Sequence, residues 1–194
     1  MYKTQMRFQK ILCFAVLAVC VIVFLYALGV MTQLYDTLFT ASDPELDITY
    51  VDGADLFYDM QPFNKTLLTV AIVLLLLSLS LFVFQGHVRR KYYIANYVTT
   101  GLCCVAFVAA AIWGMANVAI YRGQFLAIDF ASLQAWAEMW NTRYSESTLW
   151  FDLGFVVFLL LVVAAALLVV NTIWKVKLMK AETAALDADK EVAA

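Results

Sequence analysis

The chain has 194 residues, of which 64% are hydrophobic and 14% charged, with a mean hydropathy of +0.82 and a formal net charge of -2. Soluble domains run nearer half apolar and a quarter charged, so this composition points to a membrane protein. With a single histidine, His87, and no cation excess, it excludes histidine-ligated haem, multi-histidine metal sites and a basic nucleic-acid surface.

A helix crosses about 30 Å of hydrocarbon with roughly 20 apolar residues. Uncharged apolar runs of that length lie at residues 11–31, 67–86, 93–121 and 153–174. A bare backbone finds no hydrogen-bond partner in lipid, and no run alternates apolar and polar residues as a barrel strand does. The expected fold is therefore an all-α integral membrane protein, a four-transmembrane-helix bundle forming a single membrane domain over 1–194.

The first span follows Lys3, Arg7 and Lys10. It is longer than the 7–15 apolar residues of a typical signal peptide and is expected to be retained, with cleavage near Ala27-Leu28-Gly29 as the alternative. The outer loop 32–66 is long for a bundle connection, and loops of this length tend to carry function or lack order. It holds seven acids (Asp36, Asp43, Glu45, Asp47, Asp52, Asp55, Asp59) and no cation before Lys65. Within it, 46–51 (LDITYV) alternates apolar and polar positions and precedes an Asp52-Gly53 turn signal, which predicts a short strand or hairpin, and 54–60 reads as a helical turn. Its acids lack the spacing of a Ca²⁺ loop and read as a solvated face.

Span two is almost wholly Leu, Ile, Val and Phe, and is expected to face lipid or a partner. The tight link after it holds Arg89, Arg90 and Lys91. Span three carries the most informative pattern: Asn96, Thr99, Thr100, Cys103, Ala106, Ala110, Gly114 and Asn117 recur at three- and four-residue steps and share one face. Small residues permit close backbone approach, and Asn and Thr hydrogen-bond across helices, so this face is expected to pack against span four, where Asn171 offers a matching amide. The sharper alternative is that it lines a conduit.

The second outer loop, 122–152, places Phe130, Leu133, Trp136, Ala137 and Trp140 at helical spacing with Gln134, Glu138 and Asn141 opposite, the pattern of a short amphipathic interfacial helix capping the bundle. Spans three and four form an antiparallel hairpin, which sets Arg122 and Asp152 at similar depth as an expected outer-interface pair. The tail 175–194 begins with Lys175, Lys177 and Lys180, then becomes Ala-rich and acidic; it is expected to fray from a helix into disorder. With four spans all three cation clusters share one side, so both termini are expected in the cytoplasm. The cysteines, Cys13, Cys20, Cys103 and Cys104, all fall inside spans and read as inert thiols.

The layout, a long first outer loop and a shorter second one, resembles the four-span body plan of claudins and tetraspanins. The resemblance covers the plan alone. The first outer loop has neither the Trp nor the paired Cys of claudins, and Cys103-Cys104 precede Val105 inside a span instead of forming the Cys-Cys-Gly signature of tetraspanins.

No catalytic, cofactor or metal site is expected, because the spans contain no ionisable residue and no catalytic motif is present. The expected function is that of a non-enzymatic plasma-membrane protein, an accessory or scaffolding subunit acting through its outer loops. Its expected partners are the lipid bilayer and a protein partner or second copy, with no nucleic acid; a bacterial cell membrane is the expected location. The alternative is an oligomeric channel or transporter component whose conduit is lined by span three. A lipid-modifying enzyme using Asp129, Glu138 or Asp152 ranks last, since no second group converges on them from sequence.

Overall fold

The computed structural model describes residues 2–43, 48–85, 93–139 and 144–192. The long helices are α1 (Tyr2–Leu38), α3 (Gln61–Gln85), α4 (Tyr93–Leu126) and α6 (Leu149–Val192), and the short ones are α2 (Leu56–Asp59) and α5 (Phe130–Met139). All four long helices contain a stretch long and apolar enough to cross a membrane.

These helices outrun the apolar runs. Helix α1 begins among Lys3, Arg7 and Lys10 and continues to Leu38, because leaving hydrocarbon does not remove helix propensity, and Lys, Arg and Gln are good helix formers. For the same reason α6 continues through the Ala- and Glu-rich tail as far as Val192, beyond the fraying expected there. The cationic link Arg89-Arg90-Lys91, with His87, lies outside the described residues.

Helix α1 packs on α3 and α6, and α4 packs on α6 and α3, so the bundle closes in the order α1, α3, α4, α6. Gln85 at the end of α3 meets Cys13 near the start of α1 and Thr100 near the start of α4, and Asn171 late in α6 meets Gln5. Neighbouring helices therefore run antiparallel, in up-down-up-down fashion.

The seam is a heptad pattern. Buried positions step by three and four along α1 (Gln9, Cys13, Val16, Cys20, Val23, Ala27, Val30) and along α3 (Leu67, Ala71, Leu74, Ser78, Leu81, Gln85). Similar ladders run along α4 (Asn96, Thr100, Cys103, Phe107, Ala110) and α6 (Phe158, Leu161, Ala165, Leu168, Asn171, Lys175). An alternation of three and four averages 3.5 residues, the geometry of a left-handed coiled coil. Span two, expected to face lipid or a partner, also contributes an interior face. Its apolar surround hides the seam, since Leu and Val look alike to lipid and to a neighbouring helix. Packing, rather than apolar burial, must hold such helices together, because lipid tails are as apolar as leucine.

At the end where α1 stops, the connections fold into a cap. A two-residue antiparallel pairing joins Ser42 to Thr49 and Asp43 to Ile48, shorter than the expected strand, whose residues 46 and 47 lie outside the described ones. The chain then turns at Gly53, whose φ of 84° suits a residue without a Cβ, and enters α2. An α-carbon branch at Gly53 would stand 3.1 Å from Ile128, so this turn lies directly on the α4–α5 junction. Tyr50 stacks on Trp136 of α5, with ring centroids 5.6 Å apart and planes at 18°. The first loop and α5 are therefore one interlocked unit. Of the predicted α5 face, Leu133 and Ala137 are buried and Phe130 and Trp136 half-buried, while Trp140 and Asn141 lie outside the described residues.

Candidate functional site

The opposite end, where Lys3, Arg7, Lys10, Lys177 and Lys180 are exposed, encloses a cluster of polar side chains between all four long helices. Helix α1 contributes Gln5 and Gln9, one turn apart on its inner face, α3 its last residue Gln85, α4 Asn96 and Thr100, and α6 Asn171 and Lys175. Gln5 Nε2 donates to Gln9 Oε1 at 3.0 Å and to Asn171 Oδ1 at 3.1 Å. Gln9 Nε2 donates to the Gln85 carbonyl at 3.0 Å, and Gln85 Nε2 donates to Thr100 Oγ1 at 3.0 Å. The Thr100 hydroxyl donates in turn to the Asn96 backbone carbonyl at 2.8 Å, and the Cys13 thiol donates to Gln85 Oε1 at 3.1 Å. Gln85 is the hub: its amide ties α4 and α1 to the end of α3.

Two features make this cluster more than a set of polar residues near a helix end. The Gln5 amide is fully buried, yet its Oε1 has no hydrogen-bond partner among the described residues. Lys175 lies one turn beyond Asn171, is only 9% exposed, and holds its Nζ 5.7 Å above the Tyr97 ring, a cation–π distance. Chemically the cluster offers amide and hydroxyl donors and acceptors with one cation at its edge. Such groups hydrogen-bond across helices and so fix their register.

The predicted span-three face divides into three parts. Asn96, Thr99, Thr100 and Cys103 are buried at the basic end. Thr99 satisfies its hydroxyl on the Ala95 carbonyl of its own helix at 2.8 Å, and Cys103 Sγ lies 3.6 Å from the Leu77 carbonyl. In the middle, Ala106 is half-buried, Ala110 buried, and Gly114 lies against the Phe158 ring. At the cap end, Asn117 turns back to the Trp113 carbonyl at 2.8 Å. Helices α4 and α6 pack together, but of this face Gly114 meets α6, through Phe158, whereas Thr100 and Cys103 meet Gln85 and Leu77 of α3, and Asn171 bonds to Gln5 of α1 and not to the threonines opposite. Sequence reading missed Gln5, Gln9 and Lys175 because they lie among cations and read as interfacial. Their continuation of the α1 and α6 heptads is the signal that marks them as interior.

The middle of the bundle is filled by rings and branched side chains. Phe107, Phe158, Leu161 and Leu74 are all essentially buried. Phe158 lies against Gly114 and packs edge-on with Tyr26 at 6.0 Å, and the Tyr26 hydroxyl donates to the Trp150 carbonyl at 3.0 Å.

At the cap end Arg122 Nε lies 3.1 Å from Asp152 Oδ1, and Asp152 also accepts from Thr148 at 2.7 Å. The two charged side chains are 37% and 52% exposed, so the pair is a surface one and adds little. Asp129 caps α5: its Oδ1 accepts the backbone N–H groups of Ala131 and Ser132 at 3.2 Å, and its Oδ2 accepts the Ser132 hydroxyl at 2.6 Å. Those bonds, the Ser132 hydroxyl first, hold its carboxyl below the usual aspartate range. Glu138 accepts from Gln134 on the same helix. Aromatic rings complete the cap, with Phe63 between Trp113 and Tyr121, and Phe125 between Phe130 and Phe151.

The fold and these sites define a class: an all-helical protein with four helices long and apolar enough to span a membrane. Comparison with protein-family models, with curated proteins and with solved structures finds no match to the chain.

Proposed function

We propose that the protein is a non-enzymatic accessory or scaffolding subunit of a larger assembly in a plasma membrane, with both termini in the cytoplasm and the cap as its outer contact surface. The observation that carries this reading is the interlocked cap. Two segments distant in sequence stack through Tyr50 and Trp136 and through Gly53 and Ile128, which orders a surface before any partner arrives. On that surface Phe39, Tyr50 and Met139 remain more than half exposed. Pre-ordered aromatic and methionine side chains suit a protein contact, since little entropy is lost when they are covered.

The conduit reading has less support. The face of α4 that would line a path abuts packed side chains, with the Phe158 ring lying against Gly114. Residue-specific photocrosslinking in the native membrane tests the proposal. A crosslinker at Tyr50 or Met139 is expected to yield a protein adduct of discrete mass, whereas one at Leu76 on the bilayer-facing side of α3 yields lipid adducts. Lipid adducts alone from the cap positions would overturn it.

A further inference from the structure

We propose that the groove between α1 and α3 at the basic end seats one anionic glycerophospholipid of the surrounding bilayer. The groove has a volume of about 540 Å³, within the range of about 300–1,000 Å³ typical of small-molecule sites. Its lining is graded along the helices. Gln9 and Lys10 precede Ile11 and Phe14 on α1, and on antiparallel α3 Phe82 precedes Gln85. The polar residues therefore share the level of the helix ends, and the apolar ones lie deeper in the bilayer. A phospholipid has the same order: phosphate, then ester carbonyls, then acyl chain.

Each layer has a matching group. Lys10 is exposed at the rim, where its ammonium meets a phosphate. Gln9 and Gln85 are buried behind it, and each uses one N–H inside the protein, on the Gln85 carbonyl and on Thr100 respectively. A primary amide carries two N–H donors, and the bonds above use one on each glutamine, so the second is the donor the bound lipid would engage if the amides turn toward the groove they line. Ile11 and Phe14 are about two-thirds exposed and Phe82 about half, and they supply the chain-contacting walls.

Charge selects the headgroup. Lys10 is the cation that lines the groove, while Lys3, Arg7, Lys177 and Lys180 are exposed elsewhere at this end, against Glu182 alone among the described acidic side chains there. A cation surplus favours a net negative lipid over a zwitterionic one, by about fivefold for each lysine or arginine in contact. The Gln5–Gln9–Gln85–Asn171 cluster behind the groove acts as its rigid wall, positioning the two amides.

The test uses the full chain in mild detergent with equimolar phosphatidylglycerol and phosphatidylcholine of identical acyl chains, with bound lipid read by native mass spectrometry. One phosphatidylglycerol is expected to be retained at least fivefold over phosphatidylcholine. Lys10→Gln is expected to lower that preference about fivefold, Phe82→Ala to lower retention of both lipids, and Lys177→Gln, outside the groove, to leave the preference unchanged. Equal retention of the two lipids by the wild-type chain overturns the proposal without recourse to any variant. An equal loss for Lys10→Gln and Lys177→Gln also overturns it, because that result marks general charge attraction.

Discussion

Gly114→Ala is the substitution whose outcome the packing most sharply determines. In an isolated helix the change would stabilise by about 1 kcal/mol, since alanine loses less backbone entropy. In the bundle the new methyl meets three carbons of the Phe158 ring, and even the farthest of them, at 2.6 Å, stands about 1 Å inside a normal carbon–carbon contact. The ring has little room to retreat, because it is buried and packs edge-on with Tyr26 at 6.0 Å. Overpacking of this kind costs about 1–3 kcal/mol, and loosening the ring pair costs a further ~0.5–1.5 kcal/mol. Subtracting the propensity gain leaves a net destabilisation of roughly 0.5–3.5 kcal/mol. The assay is unfolding of the full chain in mixed micelles by a denaturing detergent, followed by circular dichroism. Phe158→Leu should recover part of the loss, so the double mutant should be more stable than the sum of the single effects by about 1 kcal/mol. A Gly114→Ala protein as stable as wild type, or strictly additive costs in the cycle, would refute the reasoning.

Gln85→Leu removes two side-chain hydrogen bonds, to Thr100 and from Cys13, and at roughly 0.6 kcal/mol for an average interhelical bond should cost about 1 kcal/mol in the same assay. Arg122→Gln and Asp152→Asn should each leave stability nearly unchanged, and their double-mutant cycle should return a small coupling that shrinks further in high salt. The Asp129 cap has a definite pH sign. Its folded pKa is depressed, so its contribution is complete above the ordinary aspartate range and is lost as pH falls through and below it. Fluorescence of Trp136 should therefore stay constant from neutral to mildly acidic pH and change only in strong acid, with the acid transition weakened in Asp129→Asn.

The sequence carries the helices because charge-free runs of spanning length have few alternatives in lipid. It also places Asn96, Thr100 and Asn171 at one end of the bundle, through the periodicity of span three and the geometry of a hairpin. Gln5, Gln9 and Lys175 escape notice for a physical reason: flanked by Lys3, Arg7, Lys10 and Lys177, they have the local context of interfacial residues. Only the heptad continuing from Val16, Cys20 and Val23, or from Leu161 and Leu168, turns them inward. Helix α5 is legible from its period, yet the partner of Trp136 is not. Tyr50 lies in another loop, and no local pattern encodes a ring stack between such distant positions. The pairing of Gly114 with Phe158 is half legible, since a glycine in a small-residue seam announces a close approach without saying what approaches.

The proposed scaffolding role requires a bundle whose interior is closed. Cysteine accessibility tests this most directly: single cysteines at Thr99, Ala106 and Asn117, in a chain with Cys13, Cys20, Cys103 and Cys104 replaced by alanine, are treated in native membranes with a membrane-impermeant thiol reagent from either side. The packing of Phe107, Phe158 and Leu161 predicts uniform protection at all three positions, with Tyr50→Cys in the cap as the reactive control. Labelling of all three along the length of α4 would show a water-filled path and contradict the account.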